Sequence, residues 1–496
     1  MRNGQQAPKI KVVIAGGGTA GWVTAAVLSA QIGELVDITL VESDAIGTVG
    51  VGEATIPTHK TFHHMIGVDE AEFMRETKAT FKLAIAFENW GAVGDRYIHP
   101  FGSFGKGVWM SDFHSLWRQA KDHGFGGEFD DYCLELQAAE AGKFEISKTQ
   151  ALSHAYHLDS SLYAKFLRKK SEARGVKRLE GIIDDVLLNP EVGDIKSIRL
   201  NDGRVVDGDL FIDCTGFRSL LISKALGVKH VDFSKWLRVN RAVAVQTKSE
   251  GEILPYTRCS AQGAGWQWRI PLQHRVGNGH VYAGDYMDDD EALSIFKDNL
   301  SSSMLSDPKL IKFKTGRLER IWEKNCIAIG LSSGFLEPLE STSIHLIQIV
   351  ATRLIKMFPF HQSSNAVAAQ FNKEFVDEFD SIRDFIILHY KATQRDDTPF
   401  WQDMQALEIP DSLATRLELY KESGIVYQHD LDLFRTDSWH AVLRGQGIKS
   451  EGYHHIGKMI PPEQLRASLN GLKQNIDKTV RSLPKHGDFL KTYCMD

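Results

Sequence analysis

"K-V-V-I-A-G-G-G-T-A-G-W-V-T-A-A-V-L-S-A-Q", Lys11 to Gln31, decides the fold class. A short β-branched run meets Gly16-x-Gly18-x-x-Gly21, a stretch of helical composition follows, and "VDITLVES" then reads as a second strand; this is a βαβ unit. Each position has a physical task. Gly16 permits a tight turn, Gly18 lets the backbone approach a pyrophosphate, and Gly21 lets helix and strand pack closely, while the helix start at Thr19 and Ala20 offers N–H donors and a favourable dipole. Glu42 ends the second strand, about twenty residues on, where it would accept from a ribose hydroxyl. A Gly-rich βα turn alone says little, but strand, helix and acid together predict a dinucleotide. FAD and NAD share this fingerprint. Its N-terminal place in a long chain, with no second G-x-G-x-x-G, favours FAD supplied already reduced by another protein.

At 496 residues the chain is long enough for several domains or for one large α/β domain with an insertion. The net charge of -6 is spread through mixed-sign segments, which leaves no basic stripe for nucleic acid. The N-terminal "MRNGQQAPK" is polar, and no apolar run is long enough to span a bilayer, so a cytoplasmic enzyme without a membrane partner is expected. Cys133, Cys214, Cys259, Cys326 and Cys494 are scattered and never in a C-x-x-C pair, which argues against a disulfide framework and a zinc site. The doublets His63-His64 and His454-His455 have no matching ligand cluster, and no metal is expected.

Further along, "RVVDGDLFIDCTGF" predicts a strand ending at Thr215-Gly216, and "CIAIGLSSGF" another ending at Gly330, followed by Leu331. "SLYAKFLRKKSEARGV" reads as a helix, and Arg238 to Asp288 as an antiparallel sheet. The expected architecture is an FAD-binding Rossmann-like α/β module over residues 1–350, interrupted by a substrate-side β insertion around 90–150 and 230–320, then a mainly helical region over 351–496.

In "TFKLAIAFE" strict alternation puts Phe81, Leu83, Ile85 and Phe87 on one face and Lys82, Ala84, Ala86 and Glu88 on the other. Lys82 then points either into solvent or into a cavity, where an amine would have a depressed pKa and act as nucleophile or donor. "TVGVGEATIP", Thr48 to Pro57, is by composition a flexible loop, or one that wraps a cofactor ring. In "EPLESTSI", Ser341, Thr342 and Ser343 are N-cap candidates for a helix starting near Ile344.

Several of these stretches together resemble the flavin-dependent tryptophan halogenases: "GGGTAGW", "GVGEATIP", the lysine of "FKLAIAFENW", "HPFG" at His99 to Gly102, "WQWRIP" at Trp266 to Pro271, and "GFLEPLEST" at Gly334 to Thr342. The resemblance covers most of the chain, and W-x-W-x-I-P is its most specific sign. It implies an FAD-binding monooxygenase-type fold, with FADH2 from a separate NAD(P)H-dependent flavin reductase, O2, and chloride or bromide as reactants. Hypohalous acid made at the flavin would pass to Lys82, which carries or hydrogen-bonds it beside an electron-rich arene, an indole or tryptophan-like ring. Glu340 would stabilise the cationic intermediate or take its proton. The resemblance also implies flavin contacts at Gly52, Glu53, Ala54, Gly330 and Leu331, and substrate contacts at His99, Phe101 and Trp439. Trp266, Trp268, Ile270 and Pro271 would form a wall beside the flavin, and the halide would sit on backbone amides at Thr342 and Ser343. A homodimer is among the expected states. Without the resemblance, His99 and Phe101 read equally as core packing, and a flavin-dependent hydroxylase or a non-catalytic flavin binder stands as the alternative.

Two departures matter. The wider pattern F-x-x-P-x-x-S-x-G is met by Phe335, Pro338 and Ser341, but Ser343 stands where glycine is expected, and a positive φ there would strain serine. Leu331 stands where related flavoenzymes carry an acid. Glu337 has no assigned role.

Overall fold

Val12, Val13, Ile14 and Ala15 are apolar in succession, which suits a strand covered on both faces, and all four are buried at the centre of a six-stranded sheet. A computed structural model of the chain describes residues 8–46, 52–108, 110–147, 152–360 and 365–495. In that sheet the order is Trp322–Glu323, Cys326–Ala328, Leu210–Asp213, Ile10–Ala15, Val36–Glu42 and Lys177–Glu180. Every pairing is parallel except the first. Helix Thr19–Ile32 packs between helices Ser160–Ala173 and Ser343–Lys356, so the helix that begins at Ser343 lies against the one that leaves the nucleotide-binding turn.

A second sheet of seven strands runs Lys309–Lys312, Arg241–Thr247, Val276–Tyr282, Gly265–Pro271, Tyr256–Gln262, Ala84–Glu88, Arg96–Pro100. It is antiparallel apart from the pairing of Tyr256–Gln262 with Ala84–Glu88. The antiparallel sheet expected over Arg238 to Asp288 is therefore present. Around 90–150, by contrast, the described residues hold one strand, Arg96–Pro100, and otherwise helices Phe113–Asp122 and Leu134–Glu140 and a short turn of helix at Phe129–Tyr132. From Ser343 onward the chain is helical, including the long helix Asn365–Lys391.

"TFKLAIAFE" is not one alternating strand. Thr80–Lys82 pairs with Ala155–Asp159 in a small sheet that also holds Gly52–Ala54, whereas Ala84–Glu88 belongs to the seven-stranded sheet. Leu83 carries the chain between them, its N–H donating to Pro255 O at 2.7 Å. Every residue from Thr80 to Phe87 is buried, so period-two reasoning has no solvent face to find here.

Candidate active site

The glycines behave as their positions require. Gly16 has φ +108°, and a Cβ there would lie 2.2 Å from Cys214 O; a Cβ on Gly21 would lie 1.9 Å from Gly16 O. A Cβ on Gly18 would meet nothing within 4 Å, so that backbone faces open space at the start of helix Thr19–Ile32. Glu42 ends its strand beside Gly17, paired with Arg178 at 2.6 Å. Gly330, at φ +76°, packs against Ala20, where a Cβ would come within 2.7 Å, and Leu331 beside it is half exposed. Beneath this turn Asp213 is fully buried and accepts from Thr215, Leu221, Ile222 and the Ser332 hydroxyl. This cradle of close-packed glycines around an open backbone fits a dinucleotide cofactor. Thr48 to Val51 lie outside the described residues. The rest of that loop forms the strand Gly52–Ala54, with Glu53 partly exposed and Gly52 so close to Ile270 that a Cβ would meet its Cγ2 at 3.2 Å.

Lys82 is fully buried. Its Nζ donates to Ser341 Oγ at 2.8 Å and to Thr55 O at 3.2 Å, and lies 4.9 Å from the centre of the Phe101 ring. Burial pushes the ammonium down to about 7, against the pull of Glu340 and Cys259. The solvated-face reading of this lysine is excluded by its burial.

Glu340 is also buried, and does not bond Lys82 directly. Its carboxylate accepts from His99 Nδ1 at 2.8 and 2.9 Å and meets His389 Nε2 at 2.9 Å. Burial raises this carboxyl, but the two imidazoles more than reverse that and hold it at about 2. Glu340 and Ser341 have φ of +64° and +60°, the left-handed region, whereas Ser343 opens helix Ser343–Lys356 and is not among the positive-φ residues. The strain expected at Ser343 thus sits two and three residues earlier. Thr342 takes the N-cap position without a side-chain cap bond, and the Ser341 hydroxyl is engaged by Lys82.

Trp266 and Trp268 share one buried strand face with Ile270, while Gln267, Arg269 and Pro271 are less covered, as alternation predicts. The ring centres of the two tryptophans are 6.1 Å apart. Glu337, left without a role by the sequence, is buried; Trp266 Nε1–H donates to it at 3.2 Å, and Tyr390 Oη lies 2.8 Å from it. Burial raises Glu337 to about 8. Trp439 is buried with its ring centre 5.2 Å from Phe385, which stacks on Phe434 at 3.9 Å; Phe385 and Phe434 flank His99. The structure therefore brings Lys82, Ser341, Glu340, His99 and Phe101 into one cluster. His389 was not legible: it follows Phe385 by one helical turn, so both face inward, but spacing alone does not say that a carboxylate lies opposite.

Residues 11–462 match the family model described as tryptophan halogenase. The chain belongs to the tryptophan halogenase family. Members of this family are flavin-dependent oxidoreductases, and the mixed α/β architecture above is their Rossmann-like FAD-binding fold. A solved structure of Xcc4156, a flavin-dependent halogenase from Xanthomonas campestris, superposes with a TM-score of 0.96 at 49% identity, covering 98% of this chain and 99% of that one. Tryptophan 6-halogenase SttH from Streptomyces toxytricini is 37% identical over 88% of this chain and 89% of its own length. Tryptophan 7-halogenase RebH from Lentzea aerocolonigenes is 36% identical over 97% and 98%. Relatives named for different ring positions stand at nearly equal identity, so overall similarity does not set a position of attack.

Proposed function

We propose that this member of the family is an FADH2- and O2-dependent halogenase acting on an electron-rich aromatic ring, an indole or a tryptophan-like molecule. The observation that carries this reading is the buried Lys82, bonded through Ser341 to the turn that presents Glu340. A mere flavin binder needs neither a desolvated amine nor a buried carboxylate beside it.

Reduced FAD would be held by Gly16, Gly18, Thr19, Ala20, Gly21, Glu42, Gly330 and Leu331, with Gly52, Glu53 and Ala54 on its other side, and it supplies the reducing power that activates O2 to oxidise a halide. A separate NAD(P)H-dependent flavin reductase would deliver it. Chloride or bromide would rest on the backbone N–H groups at Thr342 and Ser343, where the helix begins with no side-chain cap and its dipole favours an anion. Lys82, close to neutrality in its protonation, would hold the hypohalous acid and aim it; positioning of this kind turns an indiscriminate oxidant into a regioselective one. Glu340, kept ionised by its imidazole partners, would face the cationic ring intermediate and stabilise it. His99, Phe101 and Trp439 would line the ring's binding place, and the wall of Trp266, Trp268, Ile270 and Pro271 would keep the organic substrate from the flavin.

Incubation of purified protein with a flavin reductase, NADH, FAD, O2, bromide and indole, followed by mass spectrometry, tests the reading. A brominated indole is expected. Hydroxylated indole without bromine would instead identify an aromatic hydroxylase.

A further inference from the structure

Glu340 and His389 hold one proton more than an ionised carboxylate and a neutral imidazole supply. His389 Nδ1 lies 2.9 Å from the carbonyl oxygen of Phe385, which can only accept, so Nδ1 carries a hydrogen. A neutral imidazole has a single N–H, which would leave Nε2 as a bare lone pair. Yet Nε2 lies 2.9 Å from Oε1 of Glu340, another lone-pair atom when the acid is ionised. Both side chains are buried, at 0% and 1% exposure, and no solvent relieves such a clash. A proton therefore sits between them, on Nε2 or on Oε1.

The remaining contacts choose between the two. His99 Nδ1 reaches both Glu340 oxygens, at 2.9 and 2.8 Å, the geometry of a donor shared across an ionised carboxylate. The proton belongs to the imidazole.

We propose that His389 is carried as an imidazolium, and that its charge cancels that of Glu340 so that Lys82 can stand beside the pair as a free amine. The part concerning Lys82 rests on the halogenase reading; the protonation of His389 does not. Both acceptors of Lys82, Thr55 O and Ser341 Oγ, are neutral, so nothing in direct contact forces it to be an ammonium. An uncompensated carboxylate buried nearby would do so, whereas a net-neutral pair acts only as a dipole. His99 faces the same carboxylate as a donor through Nδ1, and the remaining titratable groups facing the cluster do not supply the missing charge. Burial raises the Cys259 thiol and the Tyr97 phenol and keeps both neutral, and burial with Lys82 itself lowers His157. Burial also raises Asp437, against the influence of His99. His389 is thus a positioning residue, acting on Lys82 through Glu340.

Nitrogen NMR of protein labelled in its histidine rings, with His389→Gln used to assign the signal, tests the proton count without any turnover. Two protonated ring nitrogens on His389 are expected between pH 7 and 8; a single protonated nitrogen would overturn the proposal. A neutron structure of the unchanged enzyme answers the same question if that variant does not fold, with deuterium at both ring nitrogens expected and deuterium at Nδ1 alone contradicting it. In turnover, His389→Gln should move the acid limb of the halogenation pH profile upward by about one unit, so that a loss of roughly fivefold at pH 7, approaching tenfold at lower pH, is recovered in more alkaline buffer. An equal loss at every pH would mark His389 as merely structural and refute its action on Lys82. If the unchanged enzyme halogenates nothing while the imidazolium is present, the halogenase reading fails, and the role of Lys82 with it, but the proton count stands.

Discussion

Ser341 ties the two chemically distinctive residues together: its hydroxyl accepts from Lys82 Nζ at 2.8 Å, and its backbone follows directly on Glu340. Both residues of that turn adopt left-handed φ, a conformation that costs non-glycine residues of order 1–3 kcal/mol each. The bonds from Lys82, His99 and His389 hold the turn in place. Strain and site coincide at these residues.

Replacing Lys82 by alanine separates the two halves of the proposed reaction. Oxygen uptake driven by reduced flavin should persist, while halogenated product falls below detection by liquid chromatography. Unchanged halogenation in this variant would refute the role of the lysine.

Lys82→Met should be more stable than the parent near neutral pH. The amine's folded-state pKa is lowered from 10.5 to about 7, so between those values the unfolded chain binds more protons and stability rises with pH. Below about 7 the penalty is fully present. Methionine removes it, and the gain, on the order of a few kcal/mol, exceeds the loss of two hydrogen bonds worth about 1 kcal/mol each. Thermal melts should show the variant's advantage at pH 7 and its disappearance toward pH 10. An advantage independent of pH would contradict the assigned shift.

Glu340→Gln keeps the shape of the side chain and removes its charge. The maximal rate should drop by about 10²-fold or more with little change in KM, because the lost interaction is made with the cationic intermediate rather than with the ground-state ring. A rise in KM at constant maximal rate would assign Glu340 to substrate binding instead.

Glu337 behaves in the opposite sense to Glu340. Burial raises its folded-state pKa to about 8, so it contributes stability at low pH that is lost progressively as pH rises from the unfolded value of 4.5 toward 8. Glu337→Gln should therefore match the parent at pH 4.5 and exceed it at pH 8. Glu337→Ala, which strands the buried Trp266 N–H and Tyr390 hydroxyl, should be roughly 2–4 kcal/mol less stable than Glu337→Gln at both pH values. Urea titrations at the two pH values distinguish these patterns.

The parts of this molecule that a sequence shows are those carried by neighbours along the chain. Gly16, Gly18 and Gly21 each do a local task in one turn, and Trp266 and Trp268 follow the period of one strand, so both motifs could be read directly. The environment of Lys82 could not, since its neighbours Thr55 and Ser341 come from 27 and 259 positions away. The same distance hid Glu337, whose partners lie 71 and 53 residues off, and it hid His389, which meets Glu340 from a helix 49 residues downstream. Ser343 drew attention because it departs from a motif, yet it is an ordinary first helical residue. The unusual backbone belongs to Glu340 and Ser341, whose residue types gave no hint of a left-handed turn because tertiary bonds impose it.

The most direct test of the account is a paired turnover with indole, bromide, O2 and enzymatically reduced FAD, comparing the unchanged chain with Lys82→Ala by mass spectrometry of the products. Bromoindole is expected from the first and none from the second, with flavin oxidation in both; bromoindole from both would contradict the role of Lys82, and oxygenated indole without bromine from the unchanged chain would contradict halogenation.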